Sequence, residues 1–163
     1  MPISIFARIG TIKGESQDVR HKDEIEVLSW SWGLSQAVGT SPVGAGGGAG
    51  VGKVRLHELH FTHHVDRASP VLMTACAKGQ HTEQAVVSVR RAGAGHQDHL
   101  VITLRDVLVT AVSTSVSAEG DSALEDVVLS FARVDLEYKP QKPNGSLDAG
   151  VRFSYDLKTG TVG

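Results

Sequence analysis

The sequence predicts an all-β protein, a small antiparallel β-barrel or two-layer sandwich with one flanking α-helix. Three observations point there. Apolar and polar residues alternate with period two over most of the chain, as in strands buried on one face. Only one stretch carries helix start and stop signals. Eighteen glycines, set against two Trp, two Tyr and four Phe, favour many turns and short strands.

Ile3, Ile5 and Arg8-Ile9 form a first strand that Gly10 closes. Thr11 to Lys22 is polar and reads as a loop, with Lys13-Gly14-Glu15-Ser16 at its turn. Between Glu24 and Gly33, Ile25 and Val27 share one parity while Leu28, Trp30 and Trp32 share the other. A bulge residue at Val27–Leu28 produces such a flip and keeps the apolar set on one face. The same flip is expected between Leu56 and Leu59 and between Phe131 and Val134. Such phase changes suit a curved sheet in which a strand turns a corner between layers. Val86–Arg91, Leu100–Val112 and Val127–Tyr138 supply further strands rich in Val, Ile and Leu.

The helix is predicted over Ser69–Lys78, with Ser69 as N-cap, Pro70 at the first helical position and Gly79 as terminator. Leu72, Ala75 and Cys76 would face the sheets, which makes Cys76 a small buried hydrophobe. The stretch 39–52, with Gly44, Gly46, Gly47, Gly48 and Gly50, is too rich in glycine to pack a core and is expected to be a flexible loop.

Length and charge bound the function. At 163 residues the chain fits one domain spanning 1–163, with an ample core for its size. An apolar fraction of 40% with 21% charged residues excludes a disordered chain. The net charge of −2 leaves no basic excess for nucleic acid. No apolar run approaches the roughly 18 residues of a membrane span. A single cysteine rules out an intramolecular disulfide. Met1 to Gly10 has no basic region followed by an apolar one, so no ordinary signal peptide is expected.

Motifs that resemble chemistry fail on physical grounds. Gly47 to Lys53 spells G-x-x-x-x-G-K, but Val54 supplies no hydroxyl for Mg²⁺ and a strand, not a helix, follows. His57, His60, His63 and His64 cluster in eight positions, yet His57-Glu58-Leu59-His60 lacks the four-residue spacing of a helical zinc site. His57 and His60 are expected to point away from the core, which favours a weak pH response over a ligand role. No Ser sits in a nucleophile elbow, and Cys76 has no electropositive setting. Asp23, Glu24, Glu26, Glu125, Asp126, Asp135 and Glu137 read as a solvated strand face. The expectation is no catalytic, cofactor or metal site.

A resemblance then becomes visible. Lys13-Gly14-Glu15-Ser16, His21, Glu24-Ile25-Glu26-Val27-Leu28-Ser29-Trp30-Ser31-Trp32-Gly33 and Gly52-Lys53-Val54 come in order. They are followed by Phe61-Thr62, Val65-Asp66, Ser69-Pro70 leading to Ala75-Cys76-Ala77, Arg90-Arg91-Ala92-Gly93 and Tyr138-Lys139-Pro140-Gln141-Lys142. From about Ile3 to Asp156 the chain resembles the hemolysin-coregulated protein (Hcp) family of type VI secretion systems. Where that family's last strand ends in a Gly-Trp-Asp-like motif, this chain has Ser154-Tyr155-Asp156.

The resemblance implies a barrel that assembles into homohexameric rings, stacked as the inner tube of a contractile machine. Such tubes form in the bacterial cytoplasm and are fired into the medium or a target cell without a signal peptide. The implied partners are further copies of the chain, effector proteins in the lumen, and sheath and spike or baseplate components. No enzyme activity and no cofactor are implied, and no fused toxin is expected after Gly163. A phage-type tail-tube subunit is the structural alternative and a metal-dependent enzyme the catalytic one. In a ring, Ser29 and Ser31 would line the lumen, opposite in parity to Trp30 and Trp32, which would anchor the barrel and helix from its buried side. Gly44, Gly46, Gly47, Gly48 and Gly50 would form an arm that orders when rings stack.

Overall fold

The computed structural model describes residues 2–38, 51–91, 95 and 97–163. In chain order the elements are β1 (Ile3–Ile9), β2 (Ile25–Ser31), β3 (Leu34–Val38), β4 (Val51–Leu56), β5 (Leu59–His64), α1 (Ser69–Lys78), β6 (His81–Arg91), β7 (Asp98–Val116), β8 (Ala123–Ser130), β9 (Arg133–Tyr138), β10 (Val151–Asp156) and β11 (Thr161–Val162). The all-β class with one helix is therefore as the sequence predicts. Of the glycine-rich stretch, residues 39–50 lie outside the described residues, while Val51 and Gly52 open β4.

Six antiparallel strands close a barrel in the order β7-β6-β1-β2-β5-β8, with β8 pairing back onto β7. Beyond this seam β9, β10 and β11 continue the sheet from the first half of β7. β3 and β4 form a separate two-stranded ribbon. The corner expected of a long strand is turned by β7. Its residues Leu100–Arg105 pair with β9 and Leu108–Val116 with β8. Between them Asp106 takes φ 55°, a left-handed conformation that Asp tolerates better than most residues, and the register slips between Val109 and Ala111.

The bulge in β2 falls where the apolar pattern flips, between Val27 and Ser29. Leu28, however, is 49% exposed rather than on the apolar face, because it is itself the extra residue. The other two flips are strand breaks, not bulges. At His57-Glu58 the chain leaves the ribbon for the barrel, and at Phe131-Ala132 it leaves β8 for β9, so Val127–Tyr138 is two strands.

Pairing aligns the core into rows. Ile9, Ala85, Leu104 and Val134 form one, and Ala7, Val87 and Ile102 the next. Across the barrel, Leu59, Leu129 and Val109 form another. α1 packs against β7 and adds Leu72 and Ala75 to the same core. Cys76 is half-buried at its edge. The helix ends as predicted: Gly79 takes φ 60°, and the N–H groups of Gly79 and Gln80 donate to Cys76 and Ala75 carbonyls. Its start differs. Ser69 is the first helical residue and is buried, with its hydroxyl accepting from Asp66 N–H at 3.1 Å, while Asp66 Oδ1 accepts from Ala68 N–H at 2.8 Å. Asp66, not Ser69, organises this entry.

Candidate functional site

The strand ladder places Ser29 and Ser31 on an outward wall of the barrel. Trp30, Phe61, Val127 and Val112 lie in register and face inward, where Phe61 and Val127 are buried. Their neighbours must therefore face outward. One outward row is Ser31, His60, Val128 and Ala111; the next is Ser29, Thr62, Asp126 and Ser113. Ser29 and Ser31 are exposed. Asp126, the carboxylate of these rows, accepts a hydrogen bond from the Thr62 hydroxyl. The two tryptophans are half-buried against the core as expected, Trp32 beside Phe131 at 6.4 Å and Phe153 at 6.4 Å between ring centroids. Trp32 thus anchors the crossing from β8 to β9.

The opposite wall, β1 and β6, is covered by the chain's own loop. Phe6 faces outward yet is 5% exposed, because the His21 ring stacks on it at 4.3 Å and the Arg90 guanidinium lies 5.2 Å from its centroid. Arg90 donates two hydrogen bonds to the Asp18 carboxylate and so holds it well below the usual carboxylate range. His21 bridges Glu24 at 2.8 Å and Asp98 at 3.0 Å. Gly14 is required at the loop's turn, since a Cβ there would stand 2.5 Å from the Glu24 carbonyl oxygen. Glu15 accepts from Arg67 N–H at 2.8 Å, tying the loop to the approach to α1. The Gly14-Glu15-Ser16, His21 and Arg90 signatures thus converge on one clamp.

The barrel also buries a polar pair, one member of which, Glu125, is expected from the sequence on the solvated face. Glu125 is 0% exposed, as is His63, whose Nε2 donates to Glu125 Oε1 at 2.8 Å. Thr114 donates to the second oxygen at 3.1 Å. Asp66 Oδ1 stands 3.8 Å from His63 Nδ1, and burial raises the Asp66 pKa. The signal was present in the parity: His63 follows Leu59 and Phe61 at steps of two, and Glu125 precedes Val127 and Leu129 likewise. Asp126, by contrast, is exposed as predicted.

The other histidines and the glycine-lysine motif stay apart from any centre. His57, His60 and His64 are exposed, the first two pointing away from the core as expected. His57 Nε2 lies 3.3 Å from Ser35 Oγ. Among the described residues no group of three or more His, Cys, Asp or Glu is arranged to hold a metal ion. Lys53 stands in β4, inside a strand, so a helix N-terminus is missing where a phosphate would need one. Gly44, Gly46, Gly47, Gly48 and Gly50 lie outside the described residues. No helix among the described residues is long and apolar enough to cross a membrane.

Residues 6–138 match the family model described as type VI secretion system effector, Hcp. The chain belongs to the Hcp family. Protein hcp1 of Pseudomonas aeruginosa strain PAO1 is 45% identical over 160 residues, covering 97% of each chain. The crystal structure of Hcp1 from Salmonella typhimurium superposes with a TM-score of 0.78 at 36% identity, covering 99% of both chains. A further structure, of a type six secretion system protein, reaches a TM-score of 0.92 at 23% identity, with 99% and 100% coverage, and attests the shared fold. Within the Hcp family the chain is a type VI secretion system protein of β-barrel fold.

Proposed function

We propose that residues 1–163 form one structural domain whose copies close into hexameric rings and stack as the inner tube of a type VI secretion machine. The tube assembles in the bacterial cytoplasm against sheath and spike or baseplate components and is then exported, carrying effector proteins in its lumen. It works as a part of the machine rather than as an enzyme. The observation that carries this reading is the outward wall around Ser29 and Ser31, whose two rows hold no Lys, Arg or Glu and, beside His60, a single carboxylate, Asp126. A wall facing passing cargo needs that quality, because long charged side chains would grip what must slide. Ser29 and Ser31 are assigned to the lumen and contact the effector. The glycine arm, through Gly44, Gly46, Gly47, Gly48 and Gly50, makes the ring-to-ring contact; deleting 44–50 leaves rings intact and abolishes stacking and export.

Open edges support assembly. β11 and Gly163 pair only with Ser154, Tyr155 and Asp156, so the first half of β10 presents an unpaired edge, and the β3–β4 ribbon stands outside the barrel sheet. A lone two-strand ribbon is marginal in water and gains stability from a neighbour. Electron microscopy of the purified protein tests the reading directly. Six-fold rings are expected; a monomer at all micromolar concentrations in sedimentation contradicts them.

A further inference from the structure

β7 carries two surfaces of opposite charge at its two ends. Near its start, the outward face of β7, β9 and β10 forms a groove of about 690 Å³ floored by Val101 and Thr103. Arg105, Arg133 and Arg152 line it. Arg133 and Arg152 are partnered by Asp135 at 3.2 Å and by Glu137 at 2.6 Å. Arg105 has no ion partner among the described residues, and its cross-strand neighbour is Arg133, a second cation. Two guanidiniums directly opposite each other repel, and an incoming carboxylate relieves both.

At the far end of β7 the hairpin to β8 ends in Ser117-Ala118-Glu119-Gly120-Asp121-Ser122, all exposed, with Gly120 N–H donating to the Ser117 carbonyl at 3.0 Å. Glu119 and Asp121 have no ion partner among the described residues, and Val116 beside them is 71% exposed. Thr103 and Val116 lie on opposite sides of the corner in β7, and within the chain the groove arginines Arg133 and Arg152 pair with Asp135 and Glu137, not with the tip.

We propose that the acidic tip of one copy, through Glu119 and Asp121, docks in the arginine groove of a second copy, head to tail around the ring. The inference rests on the ring reading above and names where neighbouring subunits meet. Tip and groove are different surfaces, so the contact is heterologous, and such contacts close into rings when the rotation permits. Val116 enters with the tip and covers the apolar floor at Val101. The contact also explains why Arg105 is left without a partner inside its own subunit.

Charge reversal and mixing test it. Arg105→Glu strands no partner within the chain, and Glu119→Lys/Asp121→Lys alters an exposed turn, so both variants should melt like the wild type. Each alone should raise the concentration at which rings half-dissociate by about tenfold or more, read by sedimentation at low salt. Mixed in equal amounts, they should form rings again. In an alternating ring the groove carrying the introduced carboxylate receives a lysine tip, and the groove that keeps Arg105 receives an acidic tip, so every contact is complementary. Wild-type rings with undiminished assembly of either variant alone overturn the contact and leave the ring reading standing. Failure of the folded variants to recover on mixing overturns it too. A wild type that never forms rings removes the ring reading and the contact together.

Discussion

The two walls of the barrel treat their outward faces in opposite ways. On β1 and β6 the loop 11–24 folds back and seals Phe6 beneath His21 and the Arg90–Asp18 pair. On β2, β5 and β8 nothing from the described chain covers Ser29, Ser31, His60 or Thr62 enough to bury them. The covered wall spends its polar residues on a clamp outside and keeps its interior apolar. The bare wall is smooth outside and carries its ionisable pair, His63 and Glu125, inside. Polar groups therefore hold the fold together on both walls, but of the two it is the bare one whose outward face the described chain leaves open.

The largest effect is expected from the interior of the bare wall. Glu125→Ala leaves His63 buried with no acceptor for Nε2 and should cost about 3–5 kcal/mol in urea unfolding. Replacing both, His63→Leu with Glu125→Met, should recover most of that loss, since the row then matches its apolar neighbours. Stability of the single variant within 1 kcal/mol of wild type, on the order of ordinary surface changes, would mean the pair is not closed as described.

The clamp should respond more modestly and with a defined pH signature. Asp18→Asn removes a partly exposed charged pair and should cost about 1–2 kcal/mol at neutral pH. The Asp18 carboxyl is lowered from its unfolded value of 3.8, chiefly by the hydrogen bond from Arg90. The folded state thus favours the ionised form, so its contribution is complete above the unfolded pKa and is lost as pH falls through that value toward the lower folded one. The gap between wild type and Asp18→Asn should be constant from neutral pH down to about pH 5 and shrink below about pH 4. A gap that persists unchanged into acid assigns the effect to packing on Phe6 instead. Limited proteolysis should cut the loop 11–24 faster in the variant.

The same contrast explains what the sequence could and could not reveal. Period-two alternation was readable because each wall is apolar on one side, and the bulge at Leu28 appeared as a change of phase. A phase change alone does not distinguish a bulge from a crossing to another layer, which is why Phe131-Ala132 passed for the former. His63 and Glu125 sat at core parity, yet their residue types suggested solvent, and only the pairing of β5 with β8 shows that each satisfies the other. Asp18 and Arg90 lie 72 residues apart, a separation across which no local pattern speaks. The resemblance pointed to Lys13-Gly14-Glu15-Ser16, His21 and Arg90 without giving their common purpose.

The smallest effect on stability should come with the sharpest effect on function, at Ser31 and Ser29. Both hydroxyls are exposed on strand interiors, so Ser31→Arg removes no buried contact and should shift unfolding by less than about 0.5 kcal/mol. Six such substitutions around a ring would, however, place six long cations on a wall whose rows are Ser, Thr, Ala and Val apart from His60 and Asp126. Rings should therefore persist in gel filtration while effectors no longer co-purify, and export of the tube protein itself should continue. Ser29→Arg, one row along and beside Asp126, should do the same more weakly because that carboxylate offsets part of the added charge. If effector still co-purifies with Ser31→Arg rings at the wild-type level, this wall faces away from cargo. Loss of the rings themselves would instead place Ser31 in a subunit contact, and the contrast between a sealed wall and a working one would have to be redrawn.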